Sequence, residues 1–167
     1  MKKFAVFELI SKIIQYMITA ILIFMVLLMF TEVLRRYIWS VQFIWSEEFI
    51  RFLAVWVAFL GGAAAYHEKA LVCFDLISGK LHGKGKLILD LITNTIMLVL
   101  FIFILYLGMK TVMSPSTYMQ KSTGMKVSMA FPYAAIPVGT AFMIIFSIEN
   151  YISIIQKFIS GRKEGNQ

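Results

Sequence analysis

Apolar runs of about 20 residues with almost no charge recur along this 167-residue chain, and they limit its fold more than any other feature. A helix rising about 1.5 Å per residue needs roughly 20 such residues to cross the ~30 Å hydrocarbon core of a bilayer. With 60% hydrophobic residues, a soluble domain of this size would have no way to hide its apolar surface, whereas lipid accepts it. The expected fold is an all-α integral membrane protein with four transmembrane helices plus short interfacial amphipathic helices. A single membrane domain covers 1–167, with spans at about 13–34, 49–66, 87–109 and 131–155.

The segments between the runs fix their setting. Residues 1–12 place Phe4, Phe7 and Ile10 at helical spacing among Lys2, Lys3, Glu8 and Lys12, which predicts an interfacial helix. The run after it is too long for a cleaved signal peptide, and no small-x-small site follows. Residues 70–82 set Leu71, Phe74, Ile77 and Leu81 against Asp75, Ser78, Lys80 and His82, predicting a second interfacial helix on the cytoplasmic side. Residues 110–126 are polar, carry Pro115 and Gly124, and are expected to form an exposed loop. The tail at 161–167 is expected to be disordered.

The formal charge of +7 is distributed between the apolar runs, where Lys and Arg orient helices and meet anionic headgroups, so no nucleic-acid partner is expected. Ten Lys and Arg flank one side (N-terminus, 67–86 and C-terminal segment) and six the other, so both termini are expected in the cytoplasm. Arg35 and Arg36 work locally against that orientation.

The richest stretch lies between Trp45 and Ile77. Trp39 and Trp45 belong at headgroup depth, where an apolar ring with one polar edge is best placed. Ser46 is positioned to cap the next helix, with Glu47 and Glu48 in its first turn. Arg51 lies at ion-pairing offsets from both carboxylates, and Glu32 at those offsets from Arg35 and Arg36. An internal pair is one role for Glu32, and a partner-facing or proton-relay carboxylate is the other. Ala58 and Gly62 lie four apart, as do Gly61 and Ala65, and Ala135 and Gly139 repeat the spacing in the last span. Such residues let helices approach closely in lipid, either inside this chain's bundle or against another subunit. Pro137 removes one helical hydrogen bond and is expected to kink that span.

Several chemistries are excluded. The only histidines, His67 and His82, lie outside the spans, so a buried bis-His haem has no ligands, and no cofactor or metal is expected. The single cysteine, Cys73, rules out an internal disulfide and thiol–disulfide work. No Ser, His and acid set lies at a common depth. Lysines 80, 84 and 86 among glycines lack phosphate-loop spacing. A proton-coupled exporter places a carboxylate deep in a span, yet Glu32, Asp90 and Glu149 all lie near span ends. These absences favour an auxiliary or scaffolding subunit over an enzyme; an independent small oligomeric carrier or channel is the alternative.

The run RRYIW, followed by WSEEFIRFLAVWVAFLGGAAAYHEKALVCFDLI, resembles the small membrane subunit of TRAP (tripartite ATP-independent periplasmic) transporters. The later FPYAAIPVG is similar to that family's last span, and the resemblance covers nearly the whole chain. Cys73 and Phe74 depart from it, standing where a more aliphatic or positively charged pattern is expected. The resemblance implies a bacterial inner-membrane complex of three parts. A large multi-span permease subunit carries the substrate and sodium sites, and a periplasmic substrate-binding protein delivers an organic acid anion of the dicarboxylate or sialic acid class. The small subunit braces the large one's static scaffold. Structural or interface candidates are then Arg36, Trp45, Glu47, Glu48, Arg51, Ala58, Gly61, Gly62, Ala65, Asp75, Pro137 and Gly139.

Overall fold

The computed structural model describes residues 2–39, 44–68 and 84–164. Among the described residues six helices follow in order: α1 (Lys2–Trp39), α2 (Ile44–His67), α3 (Lys84–Val112), α4 (Pro115–Met119), α5 (Ala130–Tyr133) and α6 (Ala135–Glu164). Among the described residues the only β pairing is an isolated antiparallel bridge, Lys121 to Ser128. Four segments of the described residues are long and apolar enough to cross a membrane: Val6–Ile38, Ile44–His67, Gly85–Val112 and Ala130–Gln156. The chain is an all-α membrane protein.

Two expected boundaries differ in the structure. Residues 2–12 are not a separate interfacial helix; they continue into the first span within one 38-residue α1. No glycine or proline interrupts that stretch, and its ~57 Å length at about 1.5 Å per residue exceeds a ~30 Å hydrocarbon core. At the other end α6 runs to Glu164, past the point where a disordered tail was expected to begin. The interfacial helix expected at 70–82, with Asp75, lies outside the described residues.

α2 and α6 form the centre, α3 packs chiefly on α6 and α1 on α2. Leu60, Ala63 and Tyr66 of α2 meet Phe101 of α3 and Phe146 of α6, while Ile14 brings in the start of α1. Ala63 and Phe146 are fully enclosed, so a small side chain on one helix admits a ring from another. Tyr66 and Phe101 meet edge-to-face at 5.2 Å, a favoured aromatic geometry. Nearer the opposite end, Phe24 of α1 sits edge-on to Phe49 of α2 at 6.1 Å. The outward surfaces of α1 and α3 stay apolar and open, as lipid-facing helices require.

Pro137 falls just after an interruption of the last span, between Tyr133 and Ala135. Its nitrogen carries no hydrogen and cannot donate to the carbonyl of Tyr133, the residue at which α5 stops. Ala134 intervenes, yet helical bonding continues on both sides through Ala134 N–H to Ala130 O (2.9 Å) and Val138 N–H to Ala134 O (3.2 Å). α5 and α6 therefore act as one interrupted span.

Candidate functional site

The segment expected to be an exposed loop is mostly exposed, but it folds into a short helix and a hairpin. After α4, the backbone turns through a tight hairpin in which Ser122 N–H bonds Val127 O (2.9 Å) and Met129 N–H bonds Gln120 O (3.0 Å). Lys126 adopts φ 55°, a left-handed conformation that tightens the turn. The tip of this hairpin closes on Glu48 in the first turn of α2. One Glu48 carboxylate oxygen accepts from Ser122 Oγ, from Gly124 N–H (2.9 Å) and from Met125 N–H (3.3 Å). An ionised carboxylate only accepts, so a ring of donors suits it. Gly124 is needed here because a Cβ would lie 2.9 Å from Ile44 O and 3.0 Å from Glu48 Oε2.

The two carboxylates thus divide their work. Glu48 turns into the hairpin, while Glu47 faces out and pairs with Arg51 at 3.5 Å, with both side chains largely exposed. Ser46 is not the helix cap, since α2 begins two residues earlier at Ile44. Its hydroxyl instead donates to Glu32 of α1. Glu32 therefore links the first two spans across their connection.

The opposite end carries a second set of ties. Tyr66 Oη donates to Asn94 Oδ1 (2.6 Å), Asn94 Nδ2 donates to Ser147 O (3.1 Å), and Ser147 Oγ donates to Asn94 Oδ1 (3.2 Å). One buried amide thereby joins α2, α3 and α6, and its burial strengthens those bonds. One helical step away, His67 Nδ1 lies 2.9 Å from Glu149 Oε2, with both side chains mostly enclosed and the imidazole against the Phe146 ring at 4.6 Å. Gln15 of α1 donates to Glu68, and Thr95 of α3 bonds Tyr151 of α6.

Between these ends the small residues divide by face. Gly62 and Gly139 are contact points inside the bundle. A Cβ on Gly139 would sit 2.6 Å from Phe59 Cβ, and one on Gly62 would sit 2.8 Å from Met143 Cε. Gly108 receives Ile136 and Pro137 in the same manner. Gly61 is different: nothing lies within 4 Å of where its Cβ would be. Ala54 and Ala58 are exposed and Ala65 half-buried; at spacings of four, three and four they share Gly61's side of α2.

The remaining candidates lie near the ends of α1 and α2. Arg36 and Arg51 line one cavity between α1 and α2, and the half-exposed Trp45 lines another beside α1. Among the described residues, no group of three or more His, Cys, Asp or Glu gathers as metal ligands do. The hairpin contact and the His67–Glu149 pair were not singled out in the sequence. The only signal for the first was a glycine in a polar run, and for the second a histidine and an acid at two span ends.

Comparison with known proteins places this architecture. The family model for tripartite ATP-independent periplasmic transporters, DctQ component, matches residues 25–157. A protein of Haemophilus influenzae named a putative TRAP transporter small permease protein is 34% identical over 90 residues, covering 54% of this chain and 56% of that protein. A second protein of that organism with the same name is 28% identical over 141 residues, covering 83% and 84%. The isethionate TRAP transporter permease protein DctMQ of Oleidesulfovibrio alaskensis is 25% identical over 100 residues, covering 60% of this chain but only 16% of that much longer protein. With four spanning helices and a match over most of its length, the chain belongs to the DctQ family: it is a multi-pass membrane protein and a small permease component of TRAP transporters.

Proposed function

We propose that this chain is the non-catalytic bracing subunit of a sodium-coupled, binding-protein-dependent secondary transporter. Its task is to hold the scaffold of the large permease subunit at fixed depth and tilt while that subunit's mobile part crosses the membrane. The observation that carries this reading is the division of small residues on α2. Gly62 and Gly139 are used up in internal packing, whereas Ala58, Gly61 and Ala65 leave an outward strip that a second helix can approach closely. A brace also needs internal stiffness, and both ends of the bundle are tied, by Glu48 to the hairpin and by Asn94 across three helices.

The DctMQ relative adds support, because a region similar to this chain occurs there inside a longer permease chain. In this reading the complex lies in the bacterial inner membrane, with both chain termini in the cytoplasm and the Glu48 hairpin on the periplasmic side, where a substrate-binding protein arrives. The transported substrate is an organic acid anion of the dicarboxylate or sialic acid class, bound on the large subunit. Isethionate, in the relative's name, is likewise a small organic anion.

Co-expression of a tagged chain with a large TRAP permease subunit from the same genome tests the reading. A stoichiometric complex that survives purification is expected, and its complete absence across mild detergents and nanodiscs would overturn the assignment.

A further inference from the structure

The cleft between the ends of α1 and α2 differs from the rest of the lipid-facing surface. It has a volume of about 360 Å³, within the range of small-ligand clefts (about 300–1,000 Å³). Its wall combines Glu32, Val33 and Arg36 of α1 with Glu47, Ile50 and Arg51 of α2. Two cations and two carboxylates therefore stand over apolar side chains, at the ends of two spans where headgroups lie. Glu32 is engaged by Ser46, and the Glu47–Arg51 pair is long and exposed, so either partner turns to a ligand at little cost. Among the described residues the Arg36 side chain has no hydrogen-bond or ion-pair partner.

We propose that this cleft binds the headgroup of an aminophospholipid, with Arg36 taking the phosphate diester, Glu47 taking the primary ammonium, and Val33 and Ile50 meeting the start of the acyl chains. Charge complementarity selects this occupant. A purely anionic headgroup meets two carboxylates as well as two arginines, and a quaternary ammonium has no hydrogen to give Glu47. A headgroup carrying both a phosphate and a primary ammonium satisfies both signs. Arginine's planar fork matches a phosphate better than a lysine would. Arg51 lies seven residues before Ala58, about 10 Å along the helix, so a lipid here and a helix on the Ala58–Ala65 strip occupy different levels. The site stands on the cleft alone, whichever protein meets that strip.

Native mass spectrometry of the detergent-solubilised full chain, offered phosphatidylethanolamine, phosphatidylcholine and phosphatidylglycerol with identical acyl chains, tests the site. Phosphatidylethanolamine is expected to be retained preferentially. Arg36→Gln is expected to lower that retention by about tenfold, the factor carried by one charge-assisted hydrogen bond. Lys110→Gln, at the end of α3 and outside the cleft, leaves retention unchanged. Glu47→Gln reads the ammonium side separately and removes discrimination between the ethanolamine and choline lipids. Equal retention of the three lipids, preference for phosphatidylglycerol, or unaltered retention in both Arg36→Gln and Glu47→Gln would overturn the proposal. Unaltered retention in both variants is also the outcome if the cleft serves an acidic protein segment instead.

Discussion

Glu48 and Gly124 lie 76 positions apart in the chain, yet a hydrogen bond of 2.9 Å joins the carboxylate of one to the backbone of the other. That contact turns a polar connection into part of the bundle. It also separates Glu48 from its neighbour Glu47, which faces out to Arg51. Glu48→Gln is therefore expected to lower the Tm of the purified chain by several degrees, whereas Glu47→Gln shifts it little, as exposed i,i+4 pairs contribute only about 0.3–0.5 kcal/mol. Parallel thermal unfolding of both variants in the same detergent checks this, and equal shifts would contradict the division of roles.

Gly124→Ala tests the same corner from the hairpin. The added Cβ would meet the backbone oxygen of Ile44 as well as the Glu48 carboxylate, so the tip has to move away. Faster proteolysis of the 120–129 segment is expected, with the four long helices retained by circular dichroism.

The two classes of glycine on α2 and α6 predict opposite phenotypes. Gly139→Val drives a branched side chain into Phe59 and costs about 1–3 kcal/mol of bundle stability, as overpacking does. Gly61→Leu adds bulk into open space and leaves the isolated chain's Tm near the native value. If the outward strip receives a helix of the large permease, Gly61→Leu nonetheless loses co-purification. Unfolding and pull-down measured on one preparation separate the two effects.

At the other end, Asn94→Ala removes the amide that joins three helices, and a loss of about 1–2 kcal/mol is expected from the size of interhelical hydrogen bonds in membranes. Tyr66→Phe removes one of those bonds and keeps the edge-on contact with Phe101, so about 0.6 kcal/mol is expected. Unfolding titrations in mixed micelles order the two variants.

His67 takes part in two contacts that substitution can tell apart. His67→Phe keeps a ring against Phe146 and removes the Nδ1 contact with Glu149, whereas His67→Ala removes both. The alanine variant is expected to be the less stable by about 1 kcal/mol, the worth of a close ring pair. Their difference in Tm measures what the ring contributes against Phe146, contact and buried area together.

The four spans were legible because lipid leaves apolar helices little ambiguity. Pro137 announced its interruption through a missing donor. What the sequence did not reveal are contacts between distant segments. Nothing local marks Ser122 as a partner of Glu48, because the hairpin exists only once α2 and the last span are side by side. Small-residue spacing named Gly61 and Gly62 together, but which of the two faces inward depends on the direction from which α6 approaches. The continuity of α1 was missed for a simpler reason: a change from apolar to charged composition reads as a boundary, while the backbone needs a breaker to stop.

Reconstitution into proteoliposomes tests the central claim most directly. Uptake of a radiolabelled organic acid anion under a sodium gradient would be compared for this chain alone, and for this chain with the large permease and the periplasmic binding protein. The account predicts no uptake by the chain alone and sodium-dependent uptake by the three together. Saturable uptake by this chain alone would contradict it, and would make the protein an independent carrier.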